Sequence, residues 1–171
     1  MALRVLLVAL LLMTATGCVA RTTGSDDGVP ADFAGEITYR NGTVAPPYHY
    51  EWRVEFGADT ARLAWSPGYE AAETWTETAD LDADGRQSFY DRLRETGVFE
   101  FEDSGDEGLV GGPTGQATFD GVPGASDSGT LGTSVASQDL LDEVVAVTRA
   151  VFPAGVWAEM ERKQAEWGDG Q

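Results

Sequence analysis

Tyr48-His49-Tyr50-Glu51-Trp52-Arg53-Val54-Glu55-Phe56 is the stretch on which the fold turns. Tyr48, Tyr50, Trp52, Val54 and Phe56 recur at every second position, and His49, Glu51, Arg53 and Glu55 stand between them. Side chains of an extended strand point alternately to opposite faces, so the pattern writes one apolar and one polar side. The expectation is a half-buried β-strand, with His49 exposed on the polar side. The aromatic side reads as core, because rings bury large areas when a sheet packs on helices. Its other possible use is a stacking platform for a sugar or peptide, carried by Tyr48, Tyr50 and Trp52.

Working outward, Gly57-Ala58-Asp59 is a turn into a second alternating run, Thr60 to Trp65, and the two runs are expected to pair as a hairpin. Glu36-Ile37-Thr38-Tyr39-Arg40 is a strand ending at Asn41-Gly42, and Glu73 to Leu81 is another, with Trp75, Glu77 and Ala79 opposite Thr74, Thr76 and Thr78. A helix is expected from Asp84 to Thr96, stopped at Gly97, and a brief strand from Val98 to Phe101. Residues 103–132 carry nine glycines and two prolines and read as hairpins and long loops, with one alternating piece at Gln116 to Phe119. A helix N-capped by Ser137 follows, striped by Leu140, Leu141, Val144, Val145, Thr148, Val151 and Phe152. Pro153 opens a last helix, Ala154 to Trp167, with Val156, Met160 and Lys163 at helical spacing. Strands followed by helices, without regular alternation, give an α+β fold: a mainly antiparallel sheet of five to seven strands on two or three helices. The five tryptophans, Trp52, Trp65, Trp75, Trp157 and Trp167, belong to that core, Trp167 being the one expected at the surface.

Twenty-nine acids face eleven bases, only one of them lysine, for a formal net charge of −18. Nucleic acid and anionic headgroups are poor partners for such a surface. Acids spread along the whole chain resemble the surfaces of halophilic proteins, in which self-repulsion is tolerable because at 1 M salt the Debye length is only about 3 Å. A basic or cationic partner is the other account.

The chain opens as an export signal: Arg4, an apolar run Val5 to Met13, then small residues. The run is shorter than the ~20 residues that a transmembrane helix needs. Ala15-Thr16-Gly17-Cys18 resembles the lipobox of bacterial and archaeal lipoproteins. The resemblance implies removal of residues 1–17, fatty acylation of the Cys18 sulfur, and anchorage on the outer face of the cell membrane. Cys18 is the only cysteine, so no disulfide competes for it. Plain secretion with cleavage after Ala20 is the alternative. Residues 18–32 read as a flexible acidic linker, 33–168 as one globular domain, and 169–171 as a tail.

Among candidate chemistries the sharpest is Asp80-Leu81-Asp82-Ala83-Asp84-Gly85-Arg86-Gln87-Ser88-Phe89-Tyr90-Asp91. Asp80, Asp82 and Asp84 take positions one, three and five, and Gly85 takes six. Arg86 stands at seven, where a backbone carbonyl serves, with Ser88 at nine and Asp91 at twelve. The stretch looks like an EF-hand loop, whose oxygens converge on a calcium ion around a glycine bend. The competing reading is a helix N-terminus capped by Asp82 or Asp84. Asn41-Gly42-Thr43 is a glycosylation sequon and also a tight-turn sequence. Gly108 to Gly115 lacks the lysine of a phosphate loop, His49 is the only histidine, and Glu100 and Glu102 share a face if that piece is extended. No catalytic residue is assigned. The expected function is a non-catalytic binding or structural role for an envelope lipoprotein, toward another envelope component. The alternatives are a calcium-dependent binding module and a hydrolase of envelope polymers, which needs carboxylates converging in a cleft.

Overall fold

The computed structural model describes residues 28–69, 73–102, 111–125 and 130–170. The signal segment, the lipobox with Cys18, most of the linker and the core of the 103–110 glycine loop lie outside the described residues. Six strands form one antiparallel sheet in the order β4-β3-β2-β1-β5-β6: β1 (Ala34–Arg40), β2 (Tyr50–Phe56), β3 (Thr60–Pro67), β4 (Trp75–Asp80), β5 (Thr114–Asp120) and β6 (Thr130–Leu131). Three helices, α1 (Ala83–Thr96), α2 (Val135–Arg149) and α3 (Ala154–Asp169), cover one face. The fold is α+β, as the pattern requires.

The period-2 stretch does set the sheet. Trp52, Val54 and Phe56 are buried and face the helices, while Arg53 and Glu55 face solvent. The hairpin with β3 aligns Trp52 with Trp65, Val54 with Leu63 and Phe56 with Ala61, so apolar partners stack on the same side. On its other flank β2 pairs β1, with Tyr39 opposite Trp52 and Ile37 opposite Val54. The β1 to β5 pairing, which joins residues some eighty positions apart, brings Ala117 opposite Ile37.

Each helix contributes one buried stripe. Phe89, Tyr90 and Leu93 of α1 meet Phe33, Phe56, Phe99 and Phe119 in an aromatic cluster at one end of the sheet. Trp157 and Met160 of α3 close the other end, where Trp157 meets Trp52 edge-on at 5.4 Å and Phe152 at 5.8 Å. Leu141, Val144 and Val147 of α2 lie between. Helix α1 ends at Gly97, whose φ of 78° is the left-handed conformation that a side chain resists.

Several local expectations need correction. The strand begins at Tyr50 rather than Tyr48, because Pro46-Pro47-Tyr48 forms a 3₁₀ turn, and Pro47 cannot donate to a ladder. Val98–Glu100 is likewise a 3₁₀ turn instead of a strand, so Glu100 and Glu102 do not share an extended face. The N-cap of α2 is Ser134; Ser137 is the third helical residue and answers it in a reciprocal capping box. The buried stripe of α3 runs Trp157, Met160, Gln164, one residue on from Val156 and Lys163. Trp167 is half-buried, its ring lying against Gly68.

Candidate functional site

At the end of the sheet where β2 begins, a groove of about 410 Å³ runs between the Pro46–Tyr48 turn and α3. That volume is in the range of small-molecule sites. Pro47, Tyr48 and Tyr50 form one wall, with Trp65 at the floor; Glu161, Ala165 and Asp169 of α3 form the other. Tyr48 is 71% exposed, the most exposed aromatic residue described.

The wall that carries Tyr48 is fixed from below by His49, which is fully buried rather than exposed. With the chain turning at residues 46–48, position 49 no longer follows the strand alternation. Its ring stacks on Tyr69 at 3.7 Å and 7°. Nδ1 lies 3.2 Å from Gly42 O, and Nε2 lies 3.2 Å from Glu51 Oε1, which also accepts from Arg40 Nε at 2.6 Å. The Tyr69 hydroxyl donates to Val44 O at 2.8 Å and accepts from Val44 N at 3.1 Å. Asn41 Nδ2 donates to Tyr48 O at 2.8 Å, and Asn41 Oδ1 accepts from Tyr50 N at 3.0 Å. The sequon asparagine thus serves the turn, replacing ladder bonds where the strand starts.

Gln164 ties α3 to this wall. Its side chain accepts from Trp65 Nε1 at 3.0 Å and donates to His49 O at 3.1 Å and Pro47 O at 3.3 Å. Tyr50 stacks on Trp65 at 4.4 Å and 17°, and Tyr39 stacks on Trp52 at 5.2 Å and 14°. Burial raises the phenol pKa of both tyrosines, Tyr39 to about 12, with the neighbouring Tyr50 adding to the effect. Both stay neutral donors and acceptors at ordinary pH. The groove is therefore a preformed cleft with a rigid aromatic floor. No basic side chain lines it.

The open face of the sheet holds a second, polar hollow of about 530 Å³, with Thr38, Ser66 and Gln116 among its walls. Its charges are paired: Arg40 with Glu51, and Arg53 with Glu36 and Glu55.

The Asp80–Asp91 stretch is not a loop. Asp80 ends β4, and residues 83–91 lie within α1. Asp82 is the N-cap, its carboxylate accepting from Gly85 N at 2.8 Å, and Asp84 sits in the first turn. Arg86 reaches away, donating to Pro30 O at 2.8 Å and Phe33 O at 2.9 Å. Asp91 accepts from Gln87 Nε2 at 2.9 Å and Arg94 Nη2 at 3.1 Å. Asp80 and Ser88 do share the wall of a small hollow of about 160 Å³, but with the cation of Arg92. Among the described residues no three His, Cys, Asp or Glu side chains are placed to hold a metal ion. The geometry is that of a capped helix start.

Of the aromatic side expected to be core, with a stacking platform as its alternative use, Tyr48 and Tyr50 line the groove and Trp52 is in the core. Trp65 comes from the neighbouring strand β3, and Glu161, Gln164 and Asp169 come from α3, more than a hundred residues beyond Tyr50; their meeting at the groove was not foreseen. The available signal was Pro46-Pro47, which interrupts the strand, together with the 161, 164, 165, 168 spacing on α3. No protein family matches the chain, and no curated protein matches it.

Proposed function

We propose that this chain is a cell-envelope lipoprotein, anchored by fatty acylation of Cys18, whose globular domain binds an envelope component non-catalytically through the groove beneath Tyr48. The observation that carries the binding half is the strongly exposed Tyr48 over a cleft whose walls are locked by Gln164, His49 and Asn41. An exposed ring at the rim of an apolar cleft, on a turn whose backbone is held by Asn41, has no folding role to explain it, and amphipathic aromatics bind at low entropic cost.

The position of the groove supports the anchored reading. The incoming chain is pinned to α1, where Val29 N donates to Gln87 Oε1 at 2.8 Å and Arg86 holds the carbonyls of Pro30 and Phe33. That is the end of the sheet where β1 starts. The groove lies at the opposite end, where Arg40 of β1 pairs Glu51 of β2, about 20 Å away at ~3.4 Å per strand residue. A tether leading to a membrane leaves the groove on the distal side. Among the described residues no helix is long and apolar enough to cross a membrane. Two acyl chains suffice for stable anchoring.

Two measurements test the two halves. Metabolic labelling with a fatty acid should mark the wild type and not Cys18→Ser; label on both, or on neither, removes the anchor. A thermal-shift screen of the full chain against sugars, amines, acyl chains and peptides should yield a ligand whose effect drops in Tyr48→Ala. A screen with no ligand sensitive to Tyr48 removes the groove.

A further inference from the structure

The groove's chemistry is lopsided, and the imbalance names a ligand class. Its nitrogen donors are already engaged: Trp65 Nε1 bonds Gln164, and both Gln164 amide contacts go to backbone oxygens of residues 47 and 49. What remains open is the Tyr48 hydroxyl, the faces of Tyr48 and Tyr50, and the carboxylates of Glu161 and Asp169. With no basic residue among the described residues of the lining and a chain charge of −18, an anionic ligand meets repulsion and no cationic donor.

The two carboxylates are spaced as poles. Glu161, Ala165 and Asp169 are four residues apart along α3, so they stack on one side of the helix with the acids about 12 Å apart along its axis. Between them on α3 lie Gln164, whose amide is already bonded, Ala165 and Gly168, and across the groove Pro47 and the rings of Tyr48, Tyr50 and Trp65. The poles are unequal. One oxygen of Glu161 is held by Arg149 at 2.7 Å, whereas Asp169 has no ion-pair partner among the described residues. Asp169 also stands in the last turn of α3, which contains no basic residue. A carboxylate beside the carbonyl end of a helix dipole is unfavourable there, and a bound cation relieves both charges at once.

Resting on the reading of the groove as a binding site, we infer that its ligand is a linear organic polyamine, lying extended with one ammonium at Asp169, a second at Glu161, and its aliphatic stem across Tyr48 and Ala165. Ammonium groups supply the positive charge that the groove lacks, and the tyrosine faces attract the cation as well as the methylenes. A single small cation satisfies one pole only and leaves the apolar middle uncovered.

The test is titration of the full chain in detergent with spermidine at low, fixed ionic strength, followed by tryptophan fluorescence and calorimetry. Magnesium and 1,8-octanediol serve as controls. Saturable spermidine binding that weakens about tenfold in Asp169→Asn and about threefold in Tyr48→Ala supports the inference. Asp169→Asn removes no structural bond, so loss of fold does not confound it; a matched melting temperature verifies this. Spermidine binding unchanged in both variants, or equalled by magnesium, means general attraction to the acidic surface and overturns the inference. Octanediol binding as well as spermidine, with sensitivity to Tyr48→Ala, overturns the polyamine while the groove stands. No Tyr48-sensitive binding by any probe brings down both.

Discussion

Gln164→Leu is the substitution that probes most directly how the groove is built. Leucine keeps the approximate volume of glutamine in a site only 8% exposed, so packing changes little. Three hydrogen bonds disappear. The largest loss falls on Trp65, itself 1% exposed, whose Nε1–H has no other partner among the described residues. An orphaned buried donor costs about 1–3 kcal/mol. His49 O keeps its bond from Gly68 N at 2.7 Å, and Pro47 lies near solvent, so those losses add about 0.5–1 kcal/mol. The extra apolar burial of leucine offsets about 1 kcal/mol. The net expectation is a destabilisation of about 2 kcal/mol, which for a chain of this size lowers Tm by about 4–8 °C. Urea unfolding of the full chain, followed by tryptophan fluorescence and far-UV circular dichroism, measures it. A double-mutant cycle with Trp65→Phe isolates the bond: with the indole donor gone, Gln164→Leu should cost about 1–2 kcal/mol less. A single-variant loss below about 0.5 kcal/mol, or a strictly additive cycle, would refute the claim that this pair locks α3 to the sheet.

Four further outcomes follow from the same geometry. Gly35→Ala should cost about 3 kcal/mol in the same assay, because its methyl would collide with Thr118 O of β5 and the ring of Phe56; an alanine variant within 1 kcal/mol of wild type would mean that β1 and β5 part easily. Asp82→Ala should lose about 1 kcal/mol through the missing helix cap. Calorimetry with millimolar calcium should give no saturable heat, and a saturable heat abolished by Asp82→Ala would restore the calcium loop. In alkali, burial raises Tyr39 from 10.0 to about 12, so the unfolded chain releases this proton first. Stability is then unaffected by Tyr39 below pH 10, falls between about pH 10 and 12, and levels above; Tyr39→Phe should flatten that part of the profile, and an unchanged slope counts against the assignment.

How much of this was legible in the sequence depends on the range of the interactions concerned. Periodicity is local, so the β2–β3 hairpin, the α1 stop at Gly97 and the break at Pro153 could be read directly, and with them the α+β class. The capped start of α1 was legible too, as one of two readings of the same aspartates. Carboxylate spacing along a chain is the same whether the backbone curls around an ion or winds into a helix. In the fold Asp80 ends β4 and α1 starts at Ala83, with Gly85 N donating to Asp82.

His49 illustrates the limit. By alternation it belongs to solvent, yet Pro46-Pro47 starts a turn that rotates the chain, and a ring stacked on Tyr69 between Gly42 and Glu51 is the result. The groove lay further beyond reach, since its two walls are separated by roughly a hundred residues and meet through Gln164.

Local pattern was enough for the central strands, the three helices and the acidic composition, because each is written in neighbouring residues through backbone preference, side-chain period or charge. The tertiary structure alone decided which aromatic rings are core and which stand at a cleft, where the lone histidine lies, and which carboxylates face a common space. Those properties depend on what distant segments remove from water, and no local pattern records it.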